Sequence, residues 1–241
     1  MTRSTRLVYE THVNNIFKVL EAAEIDFTIF MHTWVTKKNV VRNDIVEDIP
    51  VVEEEYVLLN PSVVVIDDED EYLTGPTFNL SDYWYKSEWI RSGEYGEWFP
   101  QLVSNLVCSL ESLKRLTMLV REEESLDLVM FVRPDVRIDI PIETNWLRVV
   151  HTASTLFSNQ SIIALPDFGH HNGLNDRFAI MPWKDIEKYG LRLDKMANYR
   201  KTIGFLIPEI YLKHIVSTSF DEVIEIPFKF TIIRPNGKEA S

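Results

Sequence analysis

Cysteine is nearly absent from this chain of 241 residues. Cys108 stands alone, so no internal disulfide forms and the fold must rest on its core. Its apolar-periodic surroundings point to a reducing compartment and a buried, inert thiol, not a nucleophile. Glycine is also scarce, at 8 residues, which with 45% hydrophobic and 26% charged residues excludes a fibrous or disordered chain. Positive charge is in deficit: 25 Lys and Arg face 37 Asp and Glu, for a formal net charge of −12. A field of that sign repels polyanions, so no nucleic acid and no anionic membrane is expected as a partner. No stretch approaches the roughly 20 apolar residues of a membrane span, and Met1 to Arg6 carries charge with no apolar run behind it. No membrane span and a cytoplasmic location are therefore expected. The sequence also lacks a Gly-x-x-x-x-Gly-Lys-Ser/Thr loop, a Gly-x-Gly-x-x-Gly after a strand and a Gly-x-Ser-x-Gly elbow, which removes the usual support for P-loop, dinucleotide and α/β-hydrolase chemistry.

What is present alternates in period. Val8, Val13, Ile16, Phe17 and Leu20 recur mostly at helical spacing, then Asp26 to Met31 reads as a short buried strand ending in His32-Thr33-Trp34. Ser62 to Ile66 is a β-branched run that stops at five acids, Asp67 to Glu71. These acids resemble a metal-binding run, but consecutive like charges repel and are expected on a solvated turn. Tyr72 to Pro100 is rich in aromatic residues without a clean period and reads as a long loop packing over the body. Leu102 to Leu116 predicts a strong amphipathic helix, and Leu126 to Val132 a central, parallel strand. Ser161 to Leu165 is another strand, Asp167 to Leu174 a loop, and much of Lys184 to Val216 is helical. Val223 to Ile233 is extended, and Pro235-Asn236-Gly237 a turn. Residues 1–241 are expected as a single α/β domain with a mostly parallel central sheet flanked by helices, binding ligands at the carboxyl ends of its strands.

Two segments carry charge at such ends. In Val132-Arg133-Pro134-Asp135-Val136-Arg137-Ile138-Asp139, Pro134 cannot donate to a sheet ladder, so Arg133 and Asp135 are expected at the rim. There a carboxylate can hold Mg²⁺ or Mn²⁺ against a diphosphate and a guanidinium can match phosphate oxygens, or the two can simply pair with each other. In Asp167 to Phe178, Asp176 is a candidate general base with Asp167 in reserve, and Arg177 a candidate partner or phosphate ligand. Alternatively Asn175 or Asp176 caps the next turn. His170 and His171 are adjacent, point apart on most backbones, and make a poor zinc pair without a third ligand. His32 and Trp34 are contacts or packing residues.

In order, these pieces resemble a family of nucleotide-sugar glycosyltransferases found among bacterial polysaccharide loci, algae and large DNA viruses. The residues that carry the resemblance are Arg6 through His12, Ile29 to Trp34, Arg133-Pro134-Asp135, Asn175 to Ala179, Pro208 to Leu212 and Arg234 to Gly237. The resemblance implies a GT-A-like fold, a nucleotide-sugar donor bound near Arg6, His32, Arg133, Asp135 and Arg177, and a glycan acceptor. It also implies a divalent cation, Mn²⁺ or Mg²⁺, on Asp135. Two features depart from the family. Val136-Arg137 follows Asp135 where a second Asp is usual, and the apolar strand usual ahead of Arg6 has no counterpart in Met1 to Ser4. The alternative function is an inactive nucleotide- or carbohydrate-binding domain of the same fold.

Overall fold

A computed structural model describes residues 4–35, 54–83, 100–123, 126–204, 206–234 and 236–239. The first helical run comprises α1 (Thr5–His12), a π-helical turn (Val13–Phe17) and α2 (Lys18–Ala22). Val8, Ile16 and Leu20 are buried along it, as their spacing predicts. Glu24, in the left-handed region at φ 55°, turns the chain out of the helix. It continues into β1 (Phe30–Val35), which pairs in parallel with β2 (Val63–Asp68). His32, Thr33 and Trp34 thus lie within the strand, not beyond it.

The acidic run is not a solvated turn. Asp67 and Asp68 end β2, and α3 (Glu69–Thr74) starts at once, with Asp68 accepting the Glu71 amide hydrogen at 2.9 Å. Carboxylates in a first helical turn meet unpaired N–H groups and the positive end of the helix dipole, which offsets their repulsion. Of the aromatic segment, residues 72–83 are described: Tyr72, Phe78 and Tyr83 stack in sequence outward from Trp34. Trp84 to Phe99 lie outside the described residues.

The predicted amphipathic helix is α4 (Pro100–Val120), and β3 (Leu128–Val132) follows it. Next come β4 (Val136–Ile138), α5 (Thr144–Leu156), β5 (Ile162–Pro166) and β6 (Phe178–Pro182). The chain ends with α6 (Ile186–Gly190), α7 (Leu193–Thr202), α8 (Pro208–Ser219), β7 (Glu222–Ile226) and β8 (Phe230–Ile232).

The class is mixed α/β, but the central sheet is not mostly parallel. Its order is β3-β6-β5-β7, and only β5 and β7 run in parallel; β6 is antiparallel to both neighbours. The physical reason is β6, a strand the sequence reading passed over. It returns along the sheet between β3 and β5, so β3 lies at the sheet's end and is neither central nor parallel. A separate antiparallel pair joins β4 to β8.

β6 also organises the core. Phe178 and Ile180 face one cluster, with Ile16, Trp146, Val150 and Phe228. Ala179 and Met181 face another, with Ile163, Leu165, Tyr189 and Leu212. Alternation within five fully buried residues therefore fills both faces of the sheet. The π-helical turn, α2 and α5 cover the first face, and α4, α6 and α8 the second.

Candidate functional site

The ladder between β3 and β6 extends one residue past β3, with the Arg133 N–H donating to the Arg177 carbonyl at 3.2 Å, and stops at Pro134. Arg133 then folds onto Asp135. Its Nε donates to Oδ1 at 2.9 Å and its Nη2 to Oδ2 at 2.6 Å, a bidentate pair with 40% of the arginine side chain exposed. Burial pushes the Asp135 carboxyl up, but the charge and hydrogen bonds of Arg133 outweigh it and hold the group below the usual carboxylate range.

The second half of the site is the loop ahead of β6. Gly169, His171 and Asn172 take left-handed backbone angles, which folds the loop tightly. Asn175, buried, closes it: Nδ2 donates to the Phe168 carbonyl at 2.9 Å, and Oδ1 accepts the Arg177 N–H at 3.0 Å. So Asn175 braces the loop and caps no helix. The Leu174 N–H donates to the Glu209 carbonyl at 2.9 Å, and a Cβ on Gly173 would stand 2.0 Å from the Glu209 backbone. Only glycine lets the loop lie this close to the start of α8.

This docking places Arg177 between two carboxylates. Nη2 donates to Glu209 Oε1 at 2.9 Å, and Nη1 lies 3.4 Å from Asp176 Oδ1. Asp176 Oδ1 is buried and has no hydrogen-bond partner among the described residues. With Oδ1 out of solvent contact beside the guanidinium, an incoming hydroxyl can meet only the part of the Asp176 side chain that stays exposed, 16% of it.

Arg133, Asp135, Asp176, Arg177 and His32 line one cavity of about 1630 Å³. Arg6 and Asp167 do not line it. Arg6 clamps Glu55, Nη1 to Oε1 at 2.5 Å, and ties the 3₁₀ turn Glu55–Leu59 to α1. Asp167 pairs with Lys229. Glu209 and Arg234 join the lining, though sequence reasoning did not select them as site residues. Pro208 before Glu209 was the available signal, since a proline at the first helical position puts the next acid in the first turn.

His32 is engaged on both nitrogens. Nε2 lies 2.9 Å from Asp67 Oδ2 and Nδ1 2.9 Å from Ser112 Oγ. Arg115 pairs with Asp67 and with Glu111, its guanidinium 5.0 Å from the Trp34 ring centre. The Asp-His-Ser order suggests nucleophilic catalysis, but Ser112 sits inside α4, where backbone amides are committed to the helix and supply no oxyanion donors. The network fastens α4 to β1 and β2. Burial raises and the Arg115 and His32 hydrogen bonds lower the Asp67 carboxyl, with a net fall.

The residues around Asp135 do not match a resident divalent cation. Both its oxygens are taken by Arg133, and among the described residues no three His, Cys, Asp or Glu side chains converge as a metal site. A cation on Asp135 would have to displace the guanidinium. Cys108 is a free, buried thiol, and burial pushes its pKa up, away from the reactive thiolate.

Two buried histidines set a pH dependence. His12 places Nε2 2.8 Å from the Val136 carbonyl, and burial lowers its pKa against the raising effects of that bond and of Asp135. Burial lowers His32 as well, against the bond and charge of Asp67, while Arg115 lowers it further. The unfolded chain accepts protons near pH 6.5 that the folded rings refuse, so stability is intact above that value and declines as pH falls through it. Urea melts should lose up to about 1.4 kcal/mol per pH unit and per histidine below neutrality. A profile flat from pH 7.5 to 5.5 contradicts this.

No family model, no curated protein and no solved structure matches the chain. Fold and site together therefore define a class and no closer kinship: a mixed α/β protein with a large cleft, its rim built of interlocked arginines and carboxylates. Among the described residues, no helix is long and apolar enough to cross a membrane.

Proposed function

We propose that the chain is a cytoplasmic glycosyltransferase that moves a sugar from a nucleotide-sugar donor to a hydroxyl of a glycan acceptor. The observation that carries this is Asp176, a partly exposed carboxylate 3.4 Å from Arg177 that lines one cavity with Arg133. In the reaction the bond from the anomeric carbon to the diphosphate oxygen breaks, and its electron pair leaves with the diphosphate. Arg133 and Arg177 offset the charge that develops there. The acceptor oxygen bonds to the anomeric carbon and its proton passes to Asp176. No step is routed through a cation.

The test is a thermal-shift series with UDP-, GDP- and dTDP-sugars, each with and without Mn²⁺. One nucleotide class should raise the melting temperature, because a ligand selective for the folded state adds about 2.7 kcal/mol at 100 times its Kd. Arg133→Gln should abolish the shift. The Mn²⁺ arm examines the cation that the family resemblance implies. A shift without turnover on any acceptor would favour the inactive binding domain, and no shift with any nucleotide counts against both.

A further inference from the structure

Four arginines and no lysine line the cavity: Arg133, Arg148, Arg177 and Arg234. Two of them are engaged. Arg133 holds Asp135 through two hydrogen bonds, and Arg177 binds Glu209 and lies 3.4 Å from Asp176. That set of three carboxylates and two guanidiniums carries one negative charge in excess, so by itself it repels the anion that a phosphate-bearing ligand brings. Arg148 is exposed on α5, one turn before His151, whose Nε2 lies 3.9 Å from Asp127 ahead of β3. It belongs with the start of β3, whereas Arg133 and Asp135 follow that strand's end.

Arg234 differs from all three. It is half-buried, lines the cavity, and pairs with no carboxylate among the described residues. Its charge cancels the excess at the rim. A guanidinium drawn partly out of water without a counter-charge is unfavourable, and an anion in the cavity relieves that.

The backbone around Arg234 is fixed without help from its side chain. β8 ends at Ile232, and the Ile233 N–H then donates to the Asp135 carbonyl at 3.0 Å. The Arg234 N–H donates to the Lys238 carbonyl at 2.8 Å, and the Arg234 carbonyl accepts the Gly237 N–H at 2.8 Å. Gly237, at φ 80°, takes the left-handed angle that this reversal needs. In the β4–β8 ladder Val136 stands opposite Ile232, and that register carried two residues further sets Arg234 opposite Pro134. Pro134 lies between Arg133 and Asp135 in sequence, so the third guanidinium is delivered beside the first ion pair. Side chains alternate along extended backbone, and with Ile233 buried on one side Arg234 emerges on the other. Its five planar donors remain for a ligand, in the fork that matches two phosphate oxygens.

We infer that Arg234 is the phosphate ligand of this site. Its guanidinium takes two oxygens of a diphosphate, while Arg133 and Arg177, already paired, form the frame and offset charge that develops as the bond to the anomeric carbon breaks. The diphosphate is that of the nucleotide-sugar donor, and this assignment rests on the transferase reading; the demand for an anion follows from the charge count alone. Arg234 holds the ground state and the transition state alike, so its loss should raise the donor KM and spare kcat.

The test is calorimetric titration of the full chain with inorganic pyrophosphate, with UDP, GDP and dTDP, and with the corresponding nucleosides. The wild type should bind pyrophosphate and one nucleoside diphosphate, and the nucleoside far more weakly. Arg234→Gln should raise the Kd of both diphosphates on the order of 10- to 100-fold, the usual worth of a hydrogen bond to a charged group. Arg234→Lys, which keeps the charge and loses the fork, should fall between. Arg148→Gln should leave both values unchanged. The melting temperature of ligand-free Arg234→Gln should equal that of the wild type, since no carboxylate loses a partner. Diphosphate binding that survives Arg234→Gln unchanged overturns the inference and leaves the transferase reading standing. Binding lost in Arg234→Gln, in a protein that transfers sugar to no acceptor, upholds Arg234 as an anion ligand and removes the transferase reading. A wild type that binds neither pyrophosphate nor any nucleoside diphosphate overturns the inference. So does a ligand-free Arg234→Gln that melts well below the wild type, because the arginine is then a structural partner.

Discussion

Replacing Arg177 with Gln is expected to destabilise the protein by about 3–5 kcal/mol, the usual cost of removing one partner from a buried ion pair. The size follows from what remains. Glu209, 7% exposed, and Asp176, 16% exposed, lose the guanidinium that contacts both, and the charge of Arg133 acts on them only from beyond ion-pair distance. Two carboxylates left in a largely desolvated pocket repel each other and lack the hydrogen bonds of the guanidinium. Adding Glu209→Gln should restore part of the stability by removing one of the two charges. Urea melts of the three proteins at neutral pH decide the matter. A loss below about 1 kcal/mol would mean that solvent screens the pair and the rim is not preorganised.

Much of the fold was legible because its elements are long or strongly periodic. α4 spans Pro100–Val120, and its apolar positions announce it; the first helical run and β5 are equally plain. β6 was not, for a physical reason. Phe178–Pro182 is a continuous apolar run of strand length, and such a run carries no period to separate a strand from a buried helical turn. Missing it cost the sheet its direction. β3 reads as central because helices cover both its faces, and side-chain burial does not register whether a strand's second edge has a partner. The acidic run misled for a different reason: repulsion along the sequence is visible, whereas the helix start at Asp68 and the His32 and Arg115 partners of Asp67 are not.

The site divides along the same line. Arg133, Asp135, Asp176 and Arg177 share a cavity because both segments flank paired strands, and the β3–β6 pairing that joins Arg133 to Arg177 brings the two ends together. Strand-end position was a local signal. Arg6 and Asp167 fell outside because Glu55 and Lys229 claim them, and such partners are far away in sequence. His32 reached the cavity wall but spends both ring nitrogens on structure. Charge at a strand end thus locates a site, while the partners decide which charges stay available to a ligand.

Availability is what Asp176→Asn tests. The substitution keeps volume and hydrogen-bonding shape, so the loop braced by Asn175 should hold and the thermal shift with donor should persist. What disappears is an acceptor able to take a proton: the amide oxygen still accepts a hydrogen bond but is far too weak a base. Turnover should fall about 10²–10⁴-fold, the usual contribution of a positioned general base, with the loss in kcat and little change in the donor KM. If instead the acceptor KM rises while kcat is largely kept, Asp176 orients the hydroxyl without deprotonating it, as a retaining transferase would require. Full activity would remove Asp176 from the mechanism. The lost donor shift would show something else again, that Asp176 acts through Arg177, whose Nη1 lies 3.4 Å from its carboxylate. Arg177→Lys then separates the two roles: a shorter cation that keeps the charge but not the bidentate reach should weaken donor binding while leaving Asp176 able to accept the proton.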